Sequence, residues 1–173
     1  MGRSLTYDHG SSGMLKIIGL KAAGLIACVT SCLLVGYTGL VYARITFNIW
    51  FKYLTKPWFA LPNWVFPPVW AVLFVLMGIA VFLVWEQKAT YKKSEALMIF
   101  YIQLAANICW PVAFFGICST VGGVIMILYL LGSVVWAINR FYGISKTAAY
   151  LLMPYLVWIF YITILNFSVY YLN

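Results

Sequence analysis

The chain has 173 residues, of which 65% are hydrophobic and only 8% charged. A soluble domain usually carries about 25% charged residues, so this composition excludes an ordinary soluble protein and predicts an integral membrane protein. The net charge of +8 comes from eleven Lys and Arg against three acidic residues. Those basic residues are spread over tails and loops and not gathered on one polar face, which argues against nucleic-acid binding.

The amino-terminal residues 1–13 are polar and end in a Gly-Ser-Ser-Gly run, which predicts a disordered tail or a vector-derived remnant. Next, Lys16 and Lys21 precede an apolar run, as in a signal peptide, and residues 25–28 faintly resemble a lipoprotein cleavage box. The apolar run continues to Ala43, which is too long for a signal sequence. An uncleaved first helix is therefore favoured over cleavage.

Residues 14–173 are predicted to form one domain, an all-α integral membrane bundle of five transmembrane helices. Five uncharged stretches are each long enough to cross a hydrocarbon core of about 30 Å as an α-helix. The predicted spans are 22–43, 65–85, 96–115, 121–139 and 147–172. The short link at 116–120 predicts that the third and fourth helices are antiparallel neighbours.

Small residues recur every four positions along the first span, at Gly24, Cys28, Cys32 and Gly36. Such a ridge lets another helix approach closely, either a neighbour in the same bundle, which is favoured, or a second copy of the chain. Cysteines with this spacing share a helical face and are interpreted as packing residues. A metal site would need more ligands, and the single histidine, His9, is far away. Neither a metal nor a cofactor is predicted.

The first loop, residues 44–64, leads into an unusual run. Residues 56–70 hold four prolines and three tryptophans. Proline fixes φ and removes a backbone donor, so this run cannot form a regular helix. Tryptophan offers a large flat apolar face. A rigid aromatic loop at a membrane surface is what a lid over a ligand pocket requires.

The distribution of basic residues predicts the orientation of the bundle. Counting flanks and loops on alternate sides gives eight Lys and Arg on the side of the amino terminus. The other side has three, Arg44, Lys52 and Lys56. The positive-inside rule therefore places the amino terminus inside and the first loop outside, without indicating which membrane is used.

Residues for ordinary catalysis are missing from the spans, which contain no Asp, Glu, His, Lys or Arg and no phosphate-binding glycine loop. Two helical faces instead combine aromatic rings and amides: Gln103, Asn107 and Trp110 on the third span, and Trp158, Ile162, Leu165 and Asn166 on the fifth. An apolar cavity with a few amides and rings is typical of a small-molecule site. Spacing alone fits equally well with amides that join helices and tryptophans at the membrane surface.

Motifs lie in order over nearly all of residues 50–166: Trp50-Phe51, Leu54-Thr55-Lys56-Pro57, Pro62-Asn63-Trp64, Pro68-Val69-Trp70, Met77-Gly78, Val84-Trp85, Gln103-Leu104-Ala105, Asn107, Trp110-Pro111, Phe114-Phe115-Gly116, Pro154-Tyr155-Leu156, Trp158 and Leu165-Asn166. Together they resemble the signature of the translocator protein / tryptophan-rich sensory protein (TspO/MBR) family. One such motif would be a weak indication, whereas this many in order is highly specific.

The resemblance implies a five-helix membrane bundle, commonly a homodimer, whose first loop covers a cavity. Family members bind tetrapyrroles such as protoporphyrin IX, isoquinoline-type synthetic ligands and, in animals, cholesterol. The pocket residues that the resemblance carries over are Trp50, Phe51, Pro62, Trp70, Asn107, Trp110, Trp158, Ile162 and Leu165. The tryptophans that match Trp70 and Trp158 are linked in bacterial relatives to porphyrin breakdown, so these two are catalytic only if that reaction occurs here.

Some positions depart from the family pattern. In the loop pattern KPxWxPPxW, Phe59 replaces a tryptophan and Leu61 replaces the first of the paired prolines, while Phe51 replaces a tyrosine. Ile162 is bulky where relatives have a small residue nearby, which predicts a narrower cavity. The cholesterol-recognition pattern near the end of the fifth helix is broken, because no basic residue follows Lys146. A sterol is therefore disfavoured, whereas membrane lipid is expected as a partner of the bundle.

Three hypotheses about function follow. The first is a membrane receptor or carrier for porphyrin-like tetrapyrroles. The second is an enzyme that degrades porphyrin with light and oxygen, which needs no acid-base residues. The third is a regulatory or structural membrane partner, for which the ridge of small residues is the only indication. Binding of protoporphyrin IX, compared with its bleaching under light, separates the first two.

Overall fold

The structure is a computed structural model that describes residues 9–173, with side chains from residue 13 onward. In this range the chain forms the helices α1 (His9–Phe47), α2 (Phe66–Trp85), α3 (Tyr91–Pro111), α4 (Thr120–Tyr142), α5 (Lys146–Leu151) and α6 (Met153–Leu172). Short 3-10 turns occur at Phe51–Tyr53 and Asn63–Val65, and a π-helical turn, Val112–Gly116, continues α3. Five segments are long and apolar enough to cross a membrane, with α5 and α6 together forming the last. The predicted all-α membrane bundle is confirmed.

The helices begin where the sequence provides a cap or a proline. Near its start α2 carries Pro67 and Pro68, which a first helical turn tolerates because its N–H groups have no partner inside the helix. The side-chain oxygens of Thr90, Ser119 and Ser145 accept hydrogen bonds from the backbone N–H three residues later, at 3.3, 3.0 and 3.3 Å. These contacts cap α3, α4 and α5. The cap explains why α4 starts cleanly although two glycines follow.

Two spans differ from their predicted bounds. Helix α1 has 39 residues and runs past both ends of the predicted span, into residues 9–13 and into the start of the first loop. Of the predicted tail, residues 1–13, the last five residues belong to α1, and residues 1–8 lie outside the described part of the chain. Apolar composition marks only the part of a helix in hydrocarbon, whereas the helix itself continues into the polar layers. The last span is two helices, because Pro154 lacks an N–H group and its ring would clash with a carbonyl four residues earlier.

The helices pack around a single core with one open region. Helix α1 lies against α2 and α3, α4 lies against α3 and α6, and α5 lies against α2 and α4. Large side chains from several helices, including Met77, Phe100, Phe141 and Tyr155, are fully buried between them. Helices α2 and α6, by contrast, make only sparse contact. The space near this gap, toward the first loop, holds a cavity.

The ridge of small residues on α1 faces α2. Gly36 packs directly on the ring of Phe74, and Cys32 is fully buried. From the other side, a Cβ atom added to Gly78 of α2 would lie 2.5 Å from the Cα atom of Val29. The favoured interpretation of the ridge, contact within the bundle, is confirmed. The implied homodimer stays a prediction.

The two ends of the bundle carry different charges. At the end opposite the first loop, Lys21 pairs with Glu86 at 2.9 Å and Arg140 pairs with Glu95 at 3.0 Å. These two glutamates are the acidic residues in the described part of the chain. The end with the first loop has basic residues and, within residues 9–173, no acidic one. The orientation of the bundle in the membrane stays a prediction.

Candidate functional site

A cavity of about 460 Å³ lies inside the end of the bundle that carries the first loop. Its walls come from α1, α2, the end of α3 with its π-helical turn, and α6, while residues of the first loop cover it. Most of the lining side chains are apolar or aromatic. The volume falls in the range of roughly 300–1,000 Å³ that is usual for small-molecule sites.

Four aromatic rings form one wall of this cavity, which we call the aromatic wall: Phe74, Trp70, Trp110 and Phe114. Successive ring centroids are 5.6, 6.2 and 6.0 Å apart, with interplanar angles of 25°, 28° and 13°. Because these separations exceed the carbon contact distance of about 3.5–4.0 Å, the nearly parallel rings are offset and not eclipsed. The result is a staggered row of rings from α2 to the π-helical turn, in which Trp70 and Trp110 are half-buried and Phe74 and Phe114 are buried.

Two buried amides at the cavity also join α3 to α6. The Tyr155 hydroxyl donates a hydrogen bond of 2.6 Å to Oδ1 of Asn107, and Nε1 of Trp110 donates one of 3.4 Å to Oδ1 of Asn166. Each amide nitrogen also donates to the backbone carbonyl one turn earlier on its own helix, at 2.9 Å. The two roles that spacing left open, lining a pocket and joining helices, thus belong to the same side chains.

The first loop is attached to α6 at two points. The Tyr161 hydroxyl accepts a hydrogen bond from the N–H of Leu61 at 3.1 Å and donates one to the carbonyl of Phe59 at 3.3 Å. The Asn173 side chain accepts from the N–H of Thr55 at 2.9 Å and donates to the carbonyl of the same residue at 3.0 Å. Phe59 and Leu61, the two positions that depart from the family loop pattern, therefore both contact Tyr161 through their backbone groups.

The structure brings together most of the predicted pocket residues. Those that line the cavity are Phe51, Trp70, Asn107, Trp110, Ile162 and Leu165. Trp50, Pro62 and Trp158 are not among the lining residues. Trp50 packs edge-on against Phe114 at 5.2 Å, and Trp158 packs edge-on against Trp70 at 6.4 Å, so both support the wall from outside the cavity. Pro62 is exposed on the loop.

Several residues that line the cavity were not predicted from the sequence. One set lies on a single face of α1: Gly36, Gly39, Leu40, Ala43, Arg44 and Phe47. Their helical spacing could have shown that they share a face, but not that this face meets a cavity instead of lipid. The π-helical turn adds Phe114 and Phe115, which the family motif contained. The loop adds Lys56, which belongs to a matched motif but was not among the predicted pocket residues.

Comparison with known proteins extends the resemblance over most of the chain. The TspO/MBR family profile matches residues 28–172. The tryptophan-rich protein TspO of Archaeoglobus fulgidus is 35% identical over 149 residues, covering 86% of this chain and 96% of that protein. The translocator protein of Homo sapiens is 36% identical over 122 residues, covering 69% and 72%, respectively. The tryptophan-rich sensory protein of Cereibacter sphaeroides is 35% identical over 127 residues, covering 72% and 77%. Matches of this extent show that the chain belongs to the TspO/MBR family.

Proposed function

We propose that this membrane protein is a receptor or carrier that binds porphyrin-like tetrapyrroles in the cavity beneath the first loop. The observation that carries the proposal is the aromatic wall. A tetrapyrrole is a large flat π-system, and offset contacts between aromatic rings are worth about 0.5–1.5 kcal/mol each beyond the burial of their area. The half-buried indoles of Trp70 and Trp110 therefore offer such a ligand contacts of this kind.

The polar groups of the cavity support the same ligand class. The two buried amides of its lining, Asn107 and Asn166, are already hydrogen-bonded to other side chains and to backbone carbonyls, while its other two amides, Asn48 and Asn63, are exposed residues near the first loop. The cavity interior thus has few hydrogen-bonding groups left for a small polar solute. A mainly apolar ligand loses little by entering such a space and gains the burial of its surface. The names of two relatives, a translocator and a sensory protein, fit transport or sensing of a small molecule.

The test is a titration of protoporphyrin IX against the purified protein in lipid nanodiscs, read by the porphyrin absorbance and fluorescence. Removing two rings of the wall, in the Trp70→Ala/Trp110→Ala variant, should weaken binding by about tenfold or more, because two aromatic contacts are lost. Because the signal comes from the porphyrin and not from tryptophan fluorescence, removing two tryptophans does not itself change the signal.

The matched control removes two other tryptophans, Trp58 and Trp64, which are 95% and 75% exposed and lie outside the cavity. The Trp58→Ala/Trp64→Ala variant should bind as the wild type does. If both double variants had the same affinity for protoporphyrin IX, the ligand would have to bind outside this cavity. Absence of binding to the wild type would refute the proposed function itself.

A second candidate function is light- and oxygen-dependent degradation of the bound porphyrin. The observation that favours it is the contact of Trp70, in the wall, with Trp158 behind it, whose rings are perpendicular at 6.4 Å. The indole N–H of Trp158 is buried and has no hydrogen-bond partner among the described residues. In this reaction the excited porphyrin would be oxidised and molecular oxygen reduced, and the two adjacent indoles are placed to relay an electron between them.

Illumination of the aerobic complex decides this second function. The porphyrin absorbance should disappear several times faster with the wild type than with free porphyrin in the same lipid. The Trp70→Phe/Trp158→Phe variant, which keeps aromatic packing but removes both indoles, should return the rate to that of free porphyrin. If free porphyrin bleaches as fast as the complex, the enzymatic function is excluded and binding remains.

A further inference from the structure

The cavity has two charged lining residues in an otherwise uncharged surface. Arg44 lies in the last turn of α1, and Lys56 lies in the first loop. The Nζ atom of Lys56 is 4.4 Å from the centroid of the Phe51 ring, which also lines the cavity. A cation over an aromatic face is held in place by the ring quadrupole, while its N–H groups stay available to another partner. Two separate elements thus each bring a cation to one cavity.

Within the described part of the chain, neither cation forms an ion pair with an acidic side chain. Glu86 and Glu95 are both at the opposite end of the bundle, where they pair with Lys21 and Arg140. Charges beside an apolar space interact more strongly than in bulk water, because the effective dielectric constant is lower. An anionic group that enters the cavity would therefore be attracted by both cations.

Membrane orientation does not explain the two cations either. The positive-inside rule concentrates Lys and Arg on the side of the amino terminus, and the first loop is at the other side. Basic residues at this end act against the orientation signal. The last turn of a helix favours a cation, which accounts for Arg44 at the end of α1, whereas Lys56 in the loop has no such reason to lie at the cavity.

We infer that Arg44 and Lys56 form an anion site at the cavity, which binds the carboxylates of a ligand whose flat apolar body lies on the aromatic wall. This inference rests on the proposed function and names its ligand class: planar amphiphiles with one or two carboxylates at one edge. Arginine binds a carboxylate through two parallel N–H donors, and lysine binds one as a compact charge. Protoporphyrin IX, with two propionates on one edge, meets this description.

The experiment compares ligands that differ only in charge. Protoporphyrin IX and its dimethyl ester are titrated against the wild type, the Arg44→Gln/Lys56→Gln variant and the Lys52→Gln control. Lys52 is an exposed cation at the same end that does not line the cavity. The wild type and the control should bind the diacid at least about tenfold more tightly than the ester. The double variant should lose this preference and keep its affinity for the ester, which also reports that it is folded.

The outcomes separate this inference from the proposed function. Equal binding of diacid and ester to the wild type overturns the anion site and leaves tetrapyrrole binding intact. If neither porphyrin binds, the proposed function fails, and 1-pyrenebutanoic acid against 1-pyrenebutanol then decides the anion site alone. A preference of the wild type for the acid that disappears in the double variant supports the inference. No preference for the acid in either ligand pair overturns it.

Discussion

Replacing Gly78 with alanine should lower the free energy of unfolding by about 2–3 kcal/mol, as expected for overpacking of a tight contact. The new Cβ atom would lie 2.5 Å from the Cα atom and 2.9 Å from the backbone nitrogen of Val29. A side chain could rotate away from such a contact, but a backbone cannot. Helix α1 would have to move away from α2 along the ridge of small residues. Unfolding titrations with a denaturing detergent measure the change.

Gly132→Ala is the matched control for this substitution. Gly132 is inside α4, and a Cβ atom added there would meet nothing within 4 Å. Its replacement should leave stability unchanged or raise it by up to about 1 kcal/mol, since alanine is the better helix former. If the Gly78 variant proves as stable as the Gly132 variant, then α1 and α2 do not pack in this register.

Filling the cavity from α1 should abolish ligand binding without unfolding the protein. Ala43 lines the cavity, so Ala43→Phe would place a ring in the space that the ligand needs. Protoporphyrin IX affinity should fall by about 100-fold or more. The unfolding midpoint should stay the same or rise, because the added ring makes new dispersion contacts in an empty space. Together the two measurements distinguish a blocked site from a damaged fold.

Val41→Phe adds the same ring to another face of α1. Val41 is exposed and does not line the cavity, so this variant should bind protoporphyrin IX as the wild type does. If the Ala43→Phe variant still bound protoporphyrin IX with wild-type affinity, the assignment of this cavity as the binding site would be wrong. The ligand would then lie on the outer surface of the bundle.

The number and type of the spans could be predicted because lipid imposes a strong condition. A chain in hydrocarbon must satisfy its backbone internally and present apolar side chains, so uncharged stretches of sufficient length mark the helices. The ends of α1 could not be predicted in this way, because a helix can continue beyond the hydrocarbon through charged residues such as Lys16. The break before α6 was readable in principle from Pro154, whose effect depends only on its own covalent structure.

The site was predicted only in part, because a motif gives the positions of residues along the chain but not which of them face the cavity and which lie behind. Trp158 and Trp70 both belong to matched motifs, yet one ring is behind the other. The wall formed by α1 could not be recognised, because residues such as Leu40 and Ala43 suit lipid as well as a cavity. The π-helical turn after Pro111 changes the helical period at Phe114 and Phe115, and no simple repeat indicates that change.

The hydrogen bonds of Asn107 and Asn166 have a consequence for selectivity. A pocket is highly selective when its buried donors and acceptors find partners only in the correct ligand, because any other ligand leaves them unpaired. In an apolar pocket, by contrast, one methylene more or less changes the binding free energy by only about 1–3 kcal/mol. Here both amides are already engaged by Trp110, Tyr155 and the backbone. Flat molecules with different ring substituents should therefore compete for the same space, with affinities that differ by degrees. The interior is permissive, and strict discrimination falls to the charged residues at its edge.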